Sequence, residues 1–553
     1  MSMSKNIARL AVTAGLTAAL SFGGVMAPVT MAFAAEANGS VTIENVNGNT
    51  TEFQGYQIFK ADVDSGKVAN ITWANDRVEK AVKDVIEKED TSYAGKTAQD
   101  AADWITNKVT GTNETTRVAP DNIAYKIADA VDGLSPSATT TSKTASGLAH
   151  GYWLFVTKTD TIGVGEAGTS PIFTVVGNTP VKITEKTGIP TVEKKIVSDA
   201  DSKEHDAADS QIGQDVTYNL YGTVAENFDK YDTYFYQFSD KISKGLTLQK
   251  DAKVYLYKNR TDATGTDITM HFKEETPAKA AEDGSKTTTW TCDNLKDVSG
   301  VTKDSYIVVS YKAQINKYAV VAGTEGNENT VTLNYSNNPM TSDRGETQSD
   351  TVKDYTYGLK INKVDLGTEA ALDGAEFTIQ ATRADDGASK NLYVQKDGSL
   401  GSDPWNFVTA NGGVIKVTGL DAGTYTVTEV SAPSGYAKVD PFTFEIKPNM
   451  NADDPGAGLT ALKGVLTTDQ GGKVIAGITD ENAGDNNLTA KPGSEKDEDG
   501  IFNITVGDTK QVGLPLTGLN GVTFTWIAGG AVLCIGVAHL IRSRKQAEES
   551  EQE

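Results

Sequence analysis

Short runs in which apolar and polar residues alternate recur along the chain, and they constrain its fold more than any other feature. Typical runs are DVTYNLYGTV (215–224), SYIVVSYKAQI (305–315) and GTYTVTEV (423–430). Segments rich in glycine, asparagine and aspartate separate them. A period of two places successive side chains on opposite faces of a strand, so each run predicts a strand with one buried face. Many such strands joined by turns predict a mainly β chain of tandem immunoglobulin-like sandwiches.

The N-terminal part of the chain departs from this pattern because it also carries helical periodicity. One segment repeats apolar residues at helical spacing: Val78, Ala81, Val82, Val85 and Ile86. Thr97, with Asp100 three residues later, reads as a capping box for a second helix that extends through Val109. Strand-like runs precede and follow these helices, so we expect an α+β N-terminal domain.

The N-terminus carries an export pattern. Lys5 and Arg9 precede an apolar segment, and Ala32-Phe33-Ala34 supplies small residues at the positions that a signal peptidase reads. Residues 1–34 are therefore predicted to be a signal peptide that is absent from the mature protein.

The C-terminus carries an apolar segment, residues 522–541, without a single Asp, Glu, Lys or Arg. About 20 residues rising ~1.5 Å each match the ~30 Å hydrocarbon core of a bilayer, so the segment predicts a transmembrane helix. The basic residues 542–545 follow directly and favour a cytoplasmic C-terminus, with the rest of the chain outside the cell.

The composition excludes several classes of function. The chain has 74 acidic against 51 basic residues, which is unfavourable for binding nucleic acid. Of its two cysteines, Cys534 lies in the terminal apolar segment, so Cys292 has no partner for an internal disulfide. The four histidines lack metal-ligand spacing, and no nucleophile triad or phosphate loop is present. We therefore expect no enzyme, no cofactor and no metal site. Residues 449–499 are predicted to be a solvated loop, and a calcium ion held by its carboxylates is the open alternative.

Three strands in the C-terminal part each place one ionisable side chain on an otherwise apolar face. Lys363, Glu429 and Asp508 each share a strand face with two apolar residues. An unpaired buried charge is so costly that such groups shift their pKa values toward the neutral form. Three such positions predict a chemical role in the core.

A second set of polar side chains on apolar strand faces occurs earlier in the chain. Lys194 shares a face with two apolar residues, Asp240 with Phe238, and Asn337 with Leu333 and Tyr335.

The end of the chain resembles a known targeting signal. Leu514-Pro515-Leu516-Thr517-Gly518, the apolar segment and the basic tail together resemble the cell-wall sorting signal of Gram-positive surface proteins, the LPXTG class. This resemblance implies that a sortase cleaves between Thr517 and Gly518, so that Thr517 becomes the end of the mature protein.

The C-terminal domain resembles a second family. KINKVD, LDGAEFTI and GLDAGTYTVTEVSAPSGY are similar to the CnaB-type repeat of Gram-positive pilins, with TVTEVSAPSGY matching its E-box. In that family a buried lysine bonds covalently to an Asn or Asp of the last strand with help from the E-box Glu. Carried over by position, Lys363 is the nucleophile, Glu429 the assisting acid and Asp508 the electrophile, with Asn503 as the alternative electrophile.

The preceding domain resembles the second domain of pilin backbones. This implies a bond from Lys194 to Asn337 assisted by Asp240, with Lys195 and Asn329 as competing assignments.

The segment VKITEK, followed by IPTV, resembles the pilin motif, whose lysine accepts the next subunit. Lys186 falls on the motif lysine, and Lys182 is the alternative because the Tyr-Pro pair of the motif is replaced here.

Together these resemblances cover the whole chain and imply a structural backbone subunit of a sortase-assembled pilus on the Gram-positive cell wall. The alternative is a wall-anchored adhesin that binds host matrix or glycan without polymerising. The implied partners are pilin-specific and housekeeping sortases, further copies of the chain, ancillary tip or base pilins, peptidoglycan and, as an open question, a host surface ligand. The expected organisation is a signal peptide (1–34), an N-terminal pilin domain (35–187), an immunoglobulin-like isopeptide domain (188–355), a CnaB-type domain (356–511) and a sorting signal (512–553).

Overall fold

A computed structural model describes most of the chain between residues 38 and 511. The described ranges are 38–45, 50–64, 67–110, 122–169, 171–185, 188–321, 325–384, 391–453, 458–466, 474–476, 487–490 and 501–511. No helix within these ranges is long and apolar enough to cross a membrane. The predicted signal peptide, the pentapeptide 514–518 and the apolar segment 522–541 lie outside them.

The described strands form six sheets, two in each of three consecutive stretches of chain. We call residues 38–185, 188–355 and 357–511 the first, second and third domain. The described part of the chain is rich in strands, and its three helices all lie in the first domain. The prediction of a mainly β chain with tandem sandwiches and an α+β N-terminal domain is confirmed.

The first domain packs its helices against one of its two sheets. Its sheets have the strand orders β5-β1-β8 and β3-β2-β6-β7, with β4 pairing β2. The elements are β1 Gly39–Asn45, β2 Phe53–Asp64, β3 Lys67–Trp73, α1 Asp76–Glu89, α2 Ala98–Thr110, α3 Ile123–Asp132, β4 Ala138–Thr139, β5 Thr144–Leu148, β6 Gly151–Thr157, β7 Ile172–Val176 and β8 Val181–Glu185.

Local sequence explains where these helices begin. The Asn75 side chain caps α1 by accepting hydrogen bonds from two backbone N–H groups. The capping box of α2 forms as predicted, since Asp100 N donates to Thr97 Oγ1 at 3.1 Å and Thr97 N donates to Asp100 Oδ2 at 2.8 Å. A third helix that the sequence patterns did not predict, α3, follows α2 and buries Ile127 and Val131.

The second domain is a sandwich of two seven-stranded sheets. One has the order β10-β9-β12-β19-β15-β16 with β14 on β19, and the other β11-β22-β20-β13-β18-β17 with β21 on β20. The strands are β9 Val192–Val197, β10 Glu204–His205, β11 Ala207–Asp209, β12 Asp215–Thr223, β13 Tyr236–Ile242, β14 Leu246–Leu248, β15 Lys253–Tyr257, β16 Thr266–Asp267, β17 Lys273–Glu275, β18 Lys286–Cys292, β19 Tyr306–Ile315, β20 Asn327–Ser336, β21 Arg344–Glu346 and β22 Asp350–Tyr355. The core between the sheets is rich in aromatic side chains.

The third domain pairs its first strand with its last. Its sheets have the orders β28-β23-β35-β30, with β33 on β35, and β26-β25-β24-β29-β31-β32-β34, with β27 on β24; β23 and β35 run parallel. The strands are β23 Tyr357–Asp365, β24 Glu376–Ala384, β25 Tyr393–Val394, β26 Leu400–Gly401, β27 Phe407–Val408, β28 Val414–Leu420, β29 Gly423–Ser431, β30 Tyr436–Ala437, β31 Phe442–Met450, β32 Leu459–Leu466, β33 Val474–Ala476, β34 Asn487–Ala490 and β35 Ile501–Lys510. The predicted solvated loop at 449–499 is therefore wrong in part, because β32 extends the sheet beside β31 and buries Leu462.

Gln211 joins the second domain to the third. Its Nε2 donates to the carbonyl oxygen of Gly419 at 2.7 Å and also contacts that of Gly398. Its Oε1 accepts from Asp421 N at 3.2 Å and from Tyr425 Oη at 3.3 Å. One buried amide thus satisfies polar groups of three segments of the third domain.

We expect Gln211→Ala to loosen this joint, because it removes the hydrogen bonds that the Gln211 amide makes to the third domain, each of which contributes about 0.5–1.5 kcal/mol net. Hydrogen exchange should accelerate at the backbone amide of Asp421. Gln249→Ala is the control, since the Gln249 amide contacts only its own domain in the hydrogen bond it makes to Thr247. Unchanged exchange in Gln211→Ala would show that other contacts hold the joint.

Candidate functional site

The third domain buries a lysine between two carboxyl groups. Lys363 lies on the apolar face of β23 between Ile361 and the strand end, and its side chain has no exposed area. Its Nζ contacts Asp508 Oδ1 on the neighbouring strand β35 and lies 3.1 Å from Glu429 Oε1 on β29 of the opposite sheet. The three predicted residues thus come together in the core. The centroid of the Phe377 ring lies 5.6 Å from Lys363 Nζ.

Burial sets the protonation of Glu429. Its side chain is 1% exposed, and removal from water raises the pKa of its carboxyl, although the Val439 N–H and Lys363 act in the opposite direction. Val439 N donates to Oε2 at 2.8 Å, which fixes the orientation of the carboxyl group and leaves Oε1 facing Lys363. A carboxyl group whose pKa is raised in this way holds a proton more readily and can deliver it to a reacting group.

The second domain buries a lysine between its two sheets. Lys194 on β9 is fully buried, and its Nζ contacts Asp240 on β13 of the facing sheet. The same Nζ donates to Tyr311 Oη at 3.1 Å. Asn329 Nδ2, on β20, donates to that hydroxyl at 2.7 Å. One hydroxyl therefore joins the lysine amine to an asparagine amide.

The surroundings of Lys194 favour a neutral amine. Burial lowers the pKa of Lys194 to about 8, although the Asp240 carboxylate acts to raise it. The rings of Tyr218 and Tyr311 lie 5.6 and 5.4 Å from Nζ and complete an environment with little water. A deprotonated lysine amine is a nucleophile, so the site can attack a carbonyl carbon held close to it.

The structure corrects one residue of the predicted set, because Asn337 does not lie beside Lys194. Asn337 follows the end of β20, where its carbonyl accepts from Gly168 N of the first domain at 2.6 Å. It is eight positions beyond Asn329, which is roughly 27 Å along an extended strand. Asn329 was the competing assignment, and it is the asparagine whose side chain reaches the site.

The alternation of side chains between the two faces of a strand does not by itself distinguish Asn329 from Asn337. Positions 329 and 337 are eight residues apart, so a period of two assigns both to one face, although Asn337 follows the end of β20. The pairing of β13 with β20 decides, since it places Asp240 opposite Val331 and Ile242 opposite Asn329. Asn329 is then a diagonal neighbour of Asp240, which is close enough for side-chain contact.

The other two alternative residues, Lys195 and Asn503, face away from the two buried lysine sites. Lys195 Nζ pairs with Asp206 at 2.6 Å and with Glu193 at 3.1 Å near the surface. Asn503 lies opposite Lys360 in the β23–β35 register and is on the other face of β35 from Asp508.

Tyr311 is the site residue that sequence reasoning missed. It falls on the apolar face of β19 with Val309 and Ala313, so its ring reads as part of the core. The available signal was its hydroxyl, because a buried tyrosine O–H requires a hydrogen-bond partner.

The predicted polymerisation lysine, Lys186, lies outside the described residues. Its alternative Lys182 lies on β8, where its side chain is 75% exposed and its Nζ is 3.6 Å from Glu44. A lysine on this strand is therefore accessible to a large partner. Over the described ranges, no cluster of His, Cys, Asp and Glu could hold a metal ion.

Comparison with protein families matches residues 357–454 to the SpaA prealbumin-like fold domain. The matched range contains Lys363 and Glu429. No curated protein sequence matches the chain.

Solved structures with a similar arrangement are pilins. A backbone pilin of Streptococcus pyogenes with three modular domains is 16% identical over 86% of this chain and 98% of its own, with a TM-score of 0.49. The full-length major pilin SpaD of Corynebacterium diphtheriae is 18% identical over 86% and 98%, with a TM-score of 0.45. The major pilin subunit BcpA of Bacillus cereus is 13% identical over 85% and 99%, with a TM-score of 0.37.

We predict that Asn329→Ala abolishes a loss of roughly 17 Da, one ammonia, that accompanies bond formation with Lys194. Asn337→Ala should retain this loss, because its side chain lies at the other end of β20. Intact mass of the chain from residue 35 to 511 distinguishes the two variants. The reverse result would return the assignment to Asn337.

We predict that Glu429→Ala folds but lacks a loss of roughly 18 Da, one water, from the third domain. Without the cross-link between Lys363 and Asp508, the unfolded chain regains freedom that amounts to roughly 5 kcal/mol in the chain-entropy model. Glu445→Ala is the control, because Glu445 pairs with Lys447 away from the core. A retained loss of water in Glu429→Ala would leave Glu429 with a structural role only.

Proposed function

We propose that this chain is the repeating backbone subunit of a covalently polymerised pilus anchored to the Gram-positive cell wall. The observation that carries the proposal is the burial of one lysine in each of two sandwich cores, against an acid and a carbonyl-bearing side chain. This arrangement supports autocatalytic isopeptide bonds between Lys194 and Asn329 and between Lys363 and Asp508. The protein is then a structural subunit whose only chemistry is a single turnover within its own chain.

The reaction follows from the site geometry. In the third domain, Lys363 Nζ attacks the Asp508 carboxyl carbon, and Glu429 passes the protons that Nζ sheds to the carboxyl oxygen, which leaves as water. Proximity supplies much of the rate, because Nζ already contacts Asp508 in the folded core. The product is one amide bond that does not depend on redox conditions.

The position of the bonds suits a subunit under tension. β23 is the first strand of the third domain and β35 the last, and they lie side by side in parallel. A bond from Lys363 to Asp508 spans 145 positions and ties the strand that enters the domain to the strand that leaves it. A pull on the two ends of the domain is then carried by the bond, and the chain between the bonded residues bears little load.

Assembly would join Thr517 of one copy to Lys186, which lies in the sequence between the first and second domains of the next copy. The third domain ends near Gln511, six residues before Thr517, or about 20 Å of extended chain. A pilin-specific sortase would cleave after Thr517 and transfer its carbonyl to Lys186 of the next copy, and a housekeeping sortase would transfer the finished polymer to peptidoglycan. Ancillary tip or base pilins complete the assembly.

We predict that Lys186→Arg abolishes high-mass polymers while monomer is still exported and anchored. A lysine amine can lose its proton and attack the sortase thioester, whereas a guanidinium stays protonated and is a poor nucleophile. An SDS-resistant ladder from cell-wall extracts provides the readout, and Lys182→Arg is the matched variant.

Each outcome of this experiment has a separate meaning. A ladder that is lost only in Lys182→Arg would move the linkage to the exposed lysine of β8. A single band from the unmodified chain would reject the pilus shaft and favour the non-polymerising adhesin.

A further inference from the structure

The hydroxyl group of Tyr311 is the point at which all three groups of the second-domain site meet. Tyr311 Oη donates to Asp240 Oδ2 and accepts from Asn329 Nδ2 at 2.7 Å and from Lys194 Nζ at 3.1 Å. One proton and two lone pairs are all that a tyrosine hydroxyl offers, so its hydrogen-bonding capacity is fully used. No other hydroxyl in the described part of the chain connects a buried lysine, acid and amide in this way.

The ring of Tyr311 is held in place by aromatic stacking. It stacks on Tyr218 at 5.6 Å between centroids and on Trp290 at 5.2 Å. Burial and the neighbouring Asp240 raise the pKa of Tyr311 well above its usual value, so the hydroxyl keeps its proton at neutral pH. The group is therefore fixed in position and protonated, as a proton donor must be.

Tyr311 contacts Asn329 at Nδ2, which is the nitrogen that leaves when the isopeptide bond forms. When a lysine amine displaces an asparagine amide, Nδ2 departs as ammonia and must gain one proton. Tyr311 Oη is hydrogen-bonded to this nitrogen and to Asp240, which is the acid of the site.

We propose that Tyr311 is a catalytic residue that relays a proton from Asp240 to the departing nitrogen of Asn329. The proposal rests on the proposed isopeptide chemistry of the second domain and adds a fourth group to it.

The proton balance closes without any outside reagent. Proton transfer within the ion pair gives a neutral Lys194 amine and a protonated Asp240. The amine attacks Asn329 Cγ, Tyr311 gives its proton to Nδ2 as the Cγ–Nδ2 bond breaks, and Asp240 reprotonates Tyr311. The proton that Nζ sheds restores Asp240, so one amide bond and one ammonia are the only products.

The third domain supports this interpretation by contrast. There Glu429 lies 3.1 Å from Lys363, and Asp508 loses water from its carboxyl group instead of ammonia. The departing oxygen also gains a proton there, but Glu429 and Asp508 both contact Lys363 Nζ, so the acid lies beside the electrophile without an intervening hydroxyl group.

The test compares Tyr311→Phe with Tyr236→Phe in the full-length chain. Both changes remove one hydroxyl from a fully buried ring that packs on another aromatic ring, but the Tyr236 hydroxyl donates to the Thr223 carbonyl oxygen at 2.9 Å, outside the site. Cells receive a pulse of heavy lysine, and the peptide that joins Lys194 to Asn329 is quantified by mass spectrometry at intervals. Loss of a general acid slows a reaction roughly 10²-fold or more, so this is the expected change for Tyr311→Phe, with Tyr236→Phe close to the unmodified rate.

A second pair of variants separates chemistry from packing. In an Asn329→Asp background the departing oxygen also gains a proton, but hydroxide is a far better leaving group than the amide anion, so Tyr311→Phe should slow cross-linking much less there. Equal slowing in both backgrounds, including complete loss through misfolding, would overturn the relay. An unmodified rate in Tyr311→Phe, or equal slowing by Tyr236→Phe, would also overturn it. Absence of the joined peptide from the unmodified chain would instead reject the second-domain bond itself.

Discussion

A lysine amine held out of water is the constraint on which the second and third domains depend. Neither Lys194 nor Lys363 has exposed side-chain area, and an isolated ammonium in such a core would be very unfavourable. Each amine is therefore accompanied by a carboxyl group from the facing sheet, Asp240 in one domain and Glu429 in the other. Burial lowers the pKa of Lys194 and raises the pKa of Glu429, which moves these two groups toward their reactive forms, the neutral amine and the protonated acid.

The two sites differ in which strands and sheets carry the lysine, the acid and the electrophile. In the third domain the amine and its electrophile lie on adjacent parallel strands, β23 and β35, and the acid comes from the opposite sheet. In the second domain the lysine lies in one sheet, while Asp240 and Asn329 lie in the other, so a bond there would join the two layers of the sandwich. Because Cys292 has no partner for an internal disulfide, covalent closure of either kind would supply the stabilisation that exported proteins often take from cystines.

Sequence periodicity predicted which face a residue occupies better than where along a strand it lies. The alternation of β23, β29 and β35 placed Lys363, Glu429 and Asp508 on inner faces, and the structure brings them together. The choice of Asn337 failed because parity does not fix register, which depends on pairing with another strand. Tyr311 was overlooked because a tyrosine on an apolar face looks like core, and its role depends on partners from three other strands.

The central claim is that these buried groups react with one another in the folded chain. Intact mass of the chain from residue 35 to 511 tests it most directly, because each bond removes a fixed mass whatever its effect on stability. One ammonia from the second domain and one water from the third predict a mass roughly 35 Da below that calculated from the sequence. The full calculated mass would contradict the account, since it would leave both lysines as buried ion pairs.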